Sequence, residues 1–211
     1  MLVAAMFTLA NSHSFDADPE MCSLWAGYGY AEECFSWELC LHSKNKRLRL
    51  GNETDEASFA ISLHPPLGAT DWRRLRESPI ELSPECLACS FYFHFGCYGE
   101  WEDLLSLDLR FGDGRAGRVE VWASGSGSVE AAPDLFPDAQ VEFQIHTWAT
   151  FRGVAISVPL NAGDPVAYSV ARVRALLPQY ASSPPVLRKT NDDAGVVRAV
   201  EVLFAPHETG N

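Results

Sequence analysis

Three thiols and one imidazole lie within twelve residues in the first half of the chain, at Cys86, Cys89, His94 and Cys97. These groups are the usual ligands of tetrahedral zinc, and a Cys-x2-Cys pair can supply two of them from one tight turn. However, residues 90 to 95 have the aromatic composition of a strand. A strand would carry His94 roughly 15 Å from Cys89 at ~3.3 Å per residue. We therefore expect no cofactor, with zinc and a Cys86–Cys97 disulfide as the alternatives to free thiols.

Two segments combine carboxylates with aromatic rings, around Trp25 and around Trp101. Paired carboxylates beside an indole can act as general acid and base in a cleft. The same composition can form a surface that binds a basic protein through aromatic anchors surrounded by charge. We predict the second use. The predicted binding patch consists of Trp25, Tyr28, Tyr30, Glu32, Glu33, Tyr98, Glu100, Trp101, Glu102 and Asp103.

The remaining motifs argue against a local catalytic site. Residues 112–117 match the G-x-G-x-x-G pattern of dinucleotide-binding loops, but a strand pattern follows where that motif needs a helix. We interpret them as a hairpin loop. His64 and His146 have no nucleophile or carboxylate at a recognisable spacing. No catalytic residue is therefore predicted, although a site assembled from distant residues is compatible with the sequence.

The chain carries a net charge of -12, and residues 1–131 hold 20 acidic and 10 basic side chains. This charge disfavours nucleic acid and favours a basic protein partner. No apolar run reaches the roughly 18 residues that a membrane span needs, so we predict no membrane association. The apolar residues 1–10 lack a preceding cation and a clear cleavage site, and we interpret them as the first strand. We expect a cytoplasmic protein with reduced cysteines, and a secreted protein is the alternative.

Alternating apolar and polar residues predict a β-rich α+β fold. Residues 35–41 and 47–50 are interpreted as one hairpin, 57–63 as a strand, and 105–111 with 119–122 as a second hairpin. Residues 11–34 show no regular period. The Ser/Gly alternation of residues 124–128 suggests a flexible connection and a boundary near residue 131. The first predicted subdomain, 1–131, is thus an acidic set of antiparallel hairpins, sandwich- or barrel-like.

The second predicted subdomain, 132–211, is a ββαββ unit that could also continue the first. Its strands are predicted at 141–145 and 153–158, with a turn near Phe151 and Arg152, and as a hairpin of 186–189 with 196–204. Asp164 and Pro165 are a typical helix start. Residues 165–177 place Val166, Val170, Val173 and Leu177 on one face. This face must pack against the sheet.

Three hypotheses follow for the function. The first is a non-enzymatic module that binds a basic protein, because acidity and many aromatic rings occur without a catalytic motif. In its overall character, small, acidic and β-rich, the chain resembles bacterial immunity proteins that neutralise a basic toxin domain. The second is a carboxylate hydrolase using Glu100, Glu102 or Asp103. The third is a secreted, disulfide-bonded binding protein, such as a viral decoy for a basic cytokine.

Overall fold

The computed structural model describes residues 6–9, 13–29, 34–50, 52–64, 71–77, 80–82, 90–96, 98–128, 140–191 and 197–205. Within these ranges the chain is mostly strand, with one α-helix, which confirms the predicted β-rich fold. The elements are β1 (Met6–Leu9), β2 (His13–Asp16), β3 (Ser23–Gly29), β4 (Cys34–His42), β5 (Lys46–Leu50), β6 (Glu53–Leu63), a 3-10 helix (Trp72–Glu77), β7 (Ile80–Leu82), β8 (Ser90–Phe95), β9 (Tyr98–Arg115), β10 (Arg118–Ser128), β11 (Gln140–Val158), α1 (Pro165–Leu176), a 3-10 helix (Pro178–Tyr180), β12 (Pro185–Asn191) and β13 (Val197–Phe204).

Backbone contacts divide the chain into two compact units. The first unit comprises residues 1–23 and 39–150, and the second comprises residues 24–38 and 151–211. This division falls inside long strands and assigns residues 24–38 to the C-terminal unit, whereas the predicted boundary near residue 131 lies outside the described residues.

The first unit is an antiparallel sheet. Its strands neighbour one another in the order β2-β1-β11-β10-β9-β8-β6-β4, and β5 and β7 pair with β6 and β9 respectively. Alternate residues are buried in β8 and in residues 140–150 of β11, as the period of two along a strand requires. The buried side includes a cluster of phenylalanine rings. Phe59 contacts Phe7 and Phe15 edge-on at 5.1 and 5.5 Å between ring centroids, and Phe91 stacks on Phe143 at 5.7 Å.

Strand β5 corrects the first predicted hairpin. It pairs with β6, from Leu50 opposite Glu53 to Lys46 opposite Ala57, and not with β4. Strand β4 instead pairs with the distal part of β6, where Leu39 lies opposite Leu63. Only two residues separate β5 from β6 in sequence, which suits a tight hairpin connection.

The second predicted hairpin is present as β9 and β10. Its turn lies at Ala116 and Gly117, both with positive φ (49° and 71°), rather than at residues 112–114. Two positive φ values in succession are typical of a type I′ turn, whose twist matches that of the flanking strands. The G-x-G-x-x-G segment is therefore the end of one strand and a turn into the next: as predicted, no helix follows it, but residues 112–115 are strand rather than loop.

The Ser/Gly segment is strand rather than flexible connection. Residues 124–128 belong to β10 and pair with β11, and residues 124–127 also pair with β9. The glycines are needed for close approach: a Cβ on Gly127 would lie 2.5 Å from the ring of Phe91. The amino-acid composition predicted a flexible connection because composition does not show which side chains pack against each glycine.

The second unit places its strands in the order β4-β3-β11-β13-β12, with α1 connecting β11 to β12. Strand β11 continues without a break through Phe151 and Arg152, so the predicted turn is absent and the ββαββ order is not confirmed. The hairpin of β12 and β13 agrees with the prediction. Phe151 packs between Trp37 and Tyr180, at 6.0 and 5.7 Å between centroids.

Helix α1 begins as its sequence predicts, but its predicted apolar face is fully buried only in the C-terminal half. The Asp164 carboxylate accepts hydrogen bonds from the backbone N–H groups of Val166 and Ala167, both at 3.0 Å, and Pro165 occupies the first turn. Val173 and Leu177 are buried, whereas Val166 and Val170 are half-buried. No helix within the described ranges has the length and apolarity to cross a membrane.

Candidate functional site

The candidate site is a groove on the outward face of β1, β11, β10 and β9, all within the first unit. On this side of the sheet the strands alternate polar and aromatic residues, while Leu109, Val121 and Phe143 point into the core. The groove encloses about 730 Å³. It is lined by Met6, Thr8, Asp108, Arg110, Phe111, Trp122, Ala123, Ser124, Gln144, Ile145 and His146.

Strand register brings the lining residues together in two rows. In one row, His146 is opposite Met6 on one side and Trp122 on the other, and Trp122 is opposite Arg110. The second row runs parallel to it and contains Thr8, Gln144, Ser124 and Asp108. Directly paired residues have Cβ atoms about 4.5–5.5 Å apart, so each row is a continuous strip of side chains.

Trp122 is the most exposed aromatic side chain of the groove, with 38% of its surface accessible. Its ring stacks on that of His146, with 5.0 Å between centroids and 13° between planes. His146 Nε2 lies 2.8 Å from Glu120 Oε1. A carboxylate can only accept, so Nε2 donates this hydrogen bond. Glu120 thus orients the imidazole, and the imidazole supports one face of the indole.

Gly112 provides the space into which Trp122 extends. A Cβ at this position would lie 2.5 Å from Trp122 Cη2 and 2.8 Å from Glu120 Oε2. Any side chain at residue 112 would therefore displace both the ring and the carboxylate. Gly114, the second glycine of the G-x-G-x-x-G segment, lies outside the groove lining. A Cβ added there would lie 2.8 Å from the ring of Trp72.

Charges of both signs lie on the groove's side of the sheet: Asp108 and Arg110 line the groove, and Arg118 precedes Glu120 by two residues on the same face of β10. Arg110 is neutralised by Asp108: its Nη2 donates to Oδ2 at 2.8 Å and its Nε to Oδ1 at 3.3 Å. This hydrogen bond, followed by the charge of Asp108, raises the pKa of Arg110 further above its usual value. Asp16, Glu120 and Glu142 occupy the same face, since Asp16 is opposite Met6 and Glu142 alternates with buried residues of β11.

The predicted binding patch is distributed over both units. Trp25 is half-buried, and Tyr28 is buried beneath the guanidinium of Arg172, 5.7 Å from its centroid. In β9 Asp103 is exposed and opposite Ser90, and Trp101 is opposite Tyr92 in backbone register. The side chains of Tyr98, Glu100, Trp101 and Glu102 are not described, and Tyr30, Glu32 and Glu33 lie outside the described residues. The patch as a whole stays a prediction.

The predicted zinc ligands can be located only at His94. Its imidazole, half-buried on β8, stacks on Tyr92 at 6.5 Å between centroids. Cys86, Cys89 and Cys97 lie outside the described residues. In the parts of the chain that the structure describes, no three His, Cys, Asp or Glu side chains are grouped to hold a metal ion.

The side chains of two other cysteines, Cys22 and Cys40, are described, and both are free thiols. Cys22 is buried, with its Sγ 3.4 Å from the backbone oxygen and from the backbone nitrogen of His42. Burial raises the pKa of the Cys22 thiol. This thiol is therefore a packing residue and a poor nucleophile at neutral pH.

Comparison with known proteins identifies no relative: no family model, no curated protein and no solved structure matches the chain. The site must therefore be interpreted from its own geometry. Sequence reasoning treated His146 as isolated and did not select Met6 or Trp122. The alternation of Glu120, Trp122 and Ser124 with buried residues could have identified this outward face from the sequence. The pairing of β10 with β11, which places Trp122 beside His146, could not be predicted in that way.

Proposed function

We propose that the protein is a non-enzymatic binding module and that its groove receives a basic segment of a protein partner. The observation that carries this proposal is the exposed Trp122 ring, stacked on His146, whose Nε2 lies 2.8 Å from the carboxylate of Glu120. The nearest cation in the groove, Arg110, is already bound to Asp108.

An arginine side chain is the group that best suits this surface. A guanidinium over an indole face gains about 0.5–2 kcal/mol, depending on how far it is desolvated. The same face of the sheet already contains one such contact, since the guanidinium carbon of Arg115 lies 4.5 Å from the ring centroid of Trp148. No described residue places a cation over Trp122 in the same way. The carboxylate of Glu120, on the same face of β10 as Trp122, can then accept guanidinium N–H groups.

The net charge of -12 supports the same choice of partner. A strongly acidic protein attracts a basic partner over long range and raises the association rate, most of all at low salt. An inhibitor of a basic toxin domain, acting in the cytoplasm in the manner of immunity proteins, is the specific form of this proposal.

The test is a titration with a short arginine peptide, acetyl-Arg-Gly-Arg-amide, followed by backbone amide chemical shifts. The matched ligand has citrulline in place of arginine, which keeps the shape and removes the charge. We expect shifts at Trp122, Ser124, Gln144 and His146 with the arginine peptide, and much weaker binding of the citrulline peptide. Trp122→Ala should weaken binding by about 5–30-fold, the equivalent of roughly 1–2 kcal/mol.

Two variants separate the groove from general acidity. Trp122→Phe keeps an aromatic face and should retain most of the affinity, whereas Trp148→Ala removes a tryptophan outside the groove lining and should change it little. Equal binding of the citrulline peptide, or equal losses in the Trp122→Ala and Trp148→Ala variants, would contradict the proposal. A photo-cross-linker at Thr8, with Asn45 as the exposed control position, would then identify the partner in cells.

A further inference from the structure

One segment of the second unit has the opposite charge to the rest of the chain. Residues 151–191 contain five basic side chains and one acidic side chain, a net charge of +4 within a chain of net -12. The basic residues are Arg152, Arg172, Arg174, Arg188 and Lys189, and the acidic residue is Asp164. Asp164 caps α1, so its carboxylate is already hydrogen-bonded to backbone N–H groups of the helix.

Strand β12 is where this positive charge meets an open sheet edge. Among the described residues β12 pairs with β13 alone, so its other edge carries backbone groups that can pair with a further strand. Arg188 is opposite Glu201 of β13 and Lys189 is opposite Val200. Both basic side chains are exposed and lie on opposite faces of the strand.

The same strand exposes two large apolar residues. Val186 and Leu187 are 54% and 41% accessible, although their partners in β13, Leu203 and Val202, are half-buried and buried. Lysine and arginine on an edge strand protect it against pairing with other edges. This protection does not require the exposed side chains of Val186 and Leu187. These two side chains provide apolar contact area for a bound segment.

We propose that β12 is a docking edge for an extended acidic segment of a protein partner, which adds a strand to the sheet of the second unit. Strand addition obtains affinity from main-chain hydrogen bonds and selectivity from alternate side chains. A partner segment that matches β12 has two apolar residues next to two acidic ones, because β12 has the order Val186, Leu187, Arg188, Lys189. An antiparallel occupant has the pattern acidic-acidic-apolar-apolar.

Charge also argues against a second copy of this chain as the occupant. Two β12 strands pairing with each other would bring two Arg188–Lys189 pairs together, and like charges on adjoining strands destabilise the pairing. The inference concerns a different surface from the groove and does not depend on the groove's ligand.

The experiment uses the full chain and the peptide acetyl-Thr-Glu-Asp-Val-Ile-Thr-amide. The control peptide, acetyl-Thr-Glu-Val-Asp-Ile-Thr-amide, has the same composition in alternating order. Binding is followed by amide chemical shifts and hydrogen exchange at about 0.15 M salt, where the Debye length is roughly 8 Å and the repulsion from distant carboxylates is screened. We expect shifts and slower exchange in β12 with the first peptide only.

Single charge reversals give the matched variants. Arg188→Glu or Lys189→Glu should each weaken peptide binding by several-fold. Arg174→Glu makes the same change in net charge at an exposed position on α1 and should leave the affinity unchanged. Melting temperatures equal to wild type would show that each variant is folded.

Four results would overturn the inference. They are equal binding of both peptides, shifts outside β12, equal losses for Arg174→Glu and Lys189→Glu, and a concentration-dependent dimer that either β12 reversal abolishes. Binding to vesicles containing phosphatidylserine without binding to the peptide would likewise replace the proposed partner by an anionic lipid surface.

Discussion

Gly125→Ala tests whether the Ser/Gly segment is a strand, because the two interpretations predict opposite signs. In the structure Gly125 lies opposite Leu107 of β9 and Phe143 of β11. An added Cβ would press on the carbonyl oxygen of Ser106 and lie 2.8 Å from its carbon. These are backbone atoms, so relief requires separating β9 from β10 beside the register shift between Ser126 and Gly127.

The magnitude follows from the cost of forcing a methyl group into a packed position, about 1–3 kcal/mol of unfolding free energy. For a chain of this size each kcal/mol lowers the melting temperature by about 2–4 °C. We therefore expect Gly125→Ala to melt about 2–12 °C below wild type. In a flexible connection, the same substitution would be neutral or stabilising by about 0.4–1 kcal/mol, because it restricts the unfolded chain.

The assay is thermal and urea denaturation of Gly125→Ala beside a control, Gly163→Ala. A Cβ on Gly163 would meet no atom within 4 Å, so the control should melt close to wild type or slightly above it. Hydrogen exchange at Ser124 and Ser126 supplies a second readout, since amides in a paired strand exchange slowly. A Gly125→Ala protein as stable as wild type, with fast exchange at both amides, would refute the strand assignment.

Three further predictions concern single groups. Asp164→Ala should lower the unfolding free energy by about 0.5–2 kcal/mol because two N–H groups of α1 lose their acceptor, whereas Asp164→Asn should lose much less, as urea denaturation would show. Burial raises the pKa of Cys22, so its thiolate is scarcer at a given pH, and peptide-resolved alkylation at pH 8 should modify half-buried Cys40 first. Burial lowers the pKa of His42 despite the opposing charge of Asp18, so the unfolded chain binds a proton more readily. The stability that His42 contributes is therefore present above its unfolded pKa near 6.5 and is lost as the pH falls through the lower folded value. A His42→Gln variant should show a shallower loss of stability on acidification than wild type.

Much of the local structure could be predicted from the sequence, because local signals were strong. Asp164 and Pro165 define the start of α1, and the alternation in β6, β9 and β10 defines their core faces. The segment 11–34 carried weaker signals, and β3 within it was missed. Leu24, Ala26 and Tyr28 alternate with half-buried residues, but alanine and glycine give this strand little apolar contrast.

The sequence by itself determined what depends on neighbouring residues: an acidic, β-rich chain, the capped helix, and the absence of a helix after the glycine motif. Only the tertiary structure decided which strands pair. It made one strand of residues 140–158, paired β5 with β6, and set Trp122 beside His146. The physical reason is that a strand's alternation specifies which side chains face the core, whereas its neighbours are chosen by packing and hydrogen bonds between residues distant in sequence.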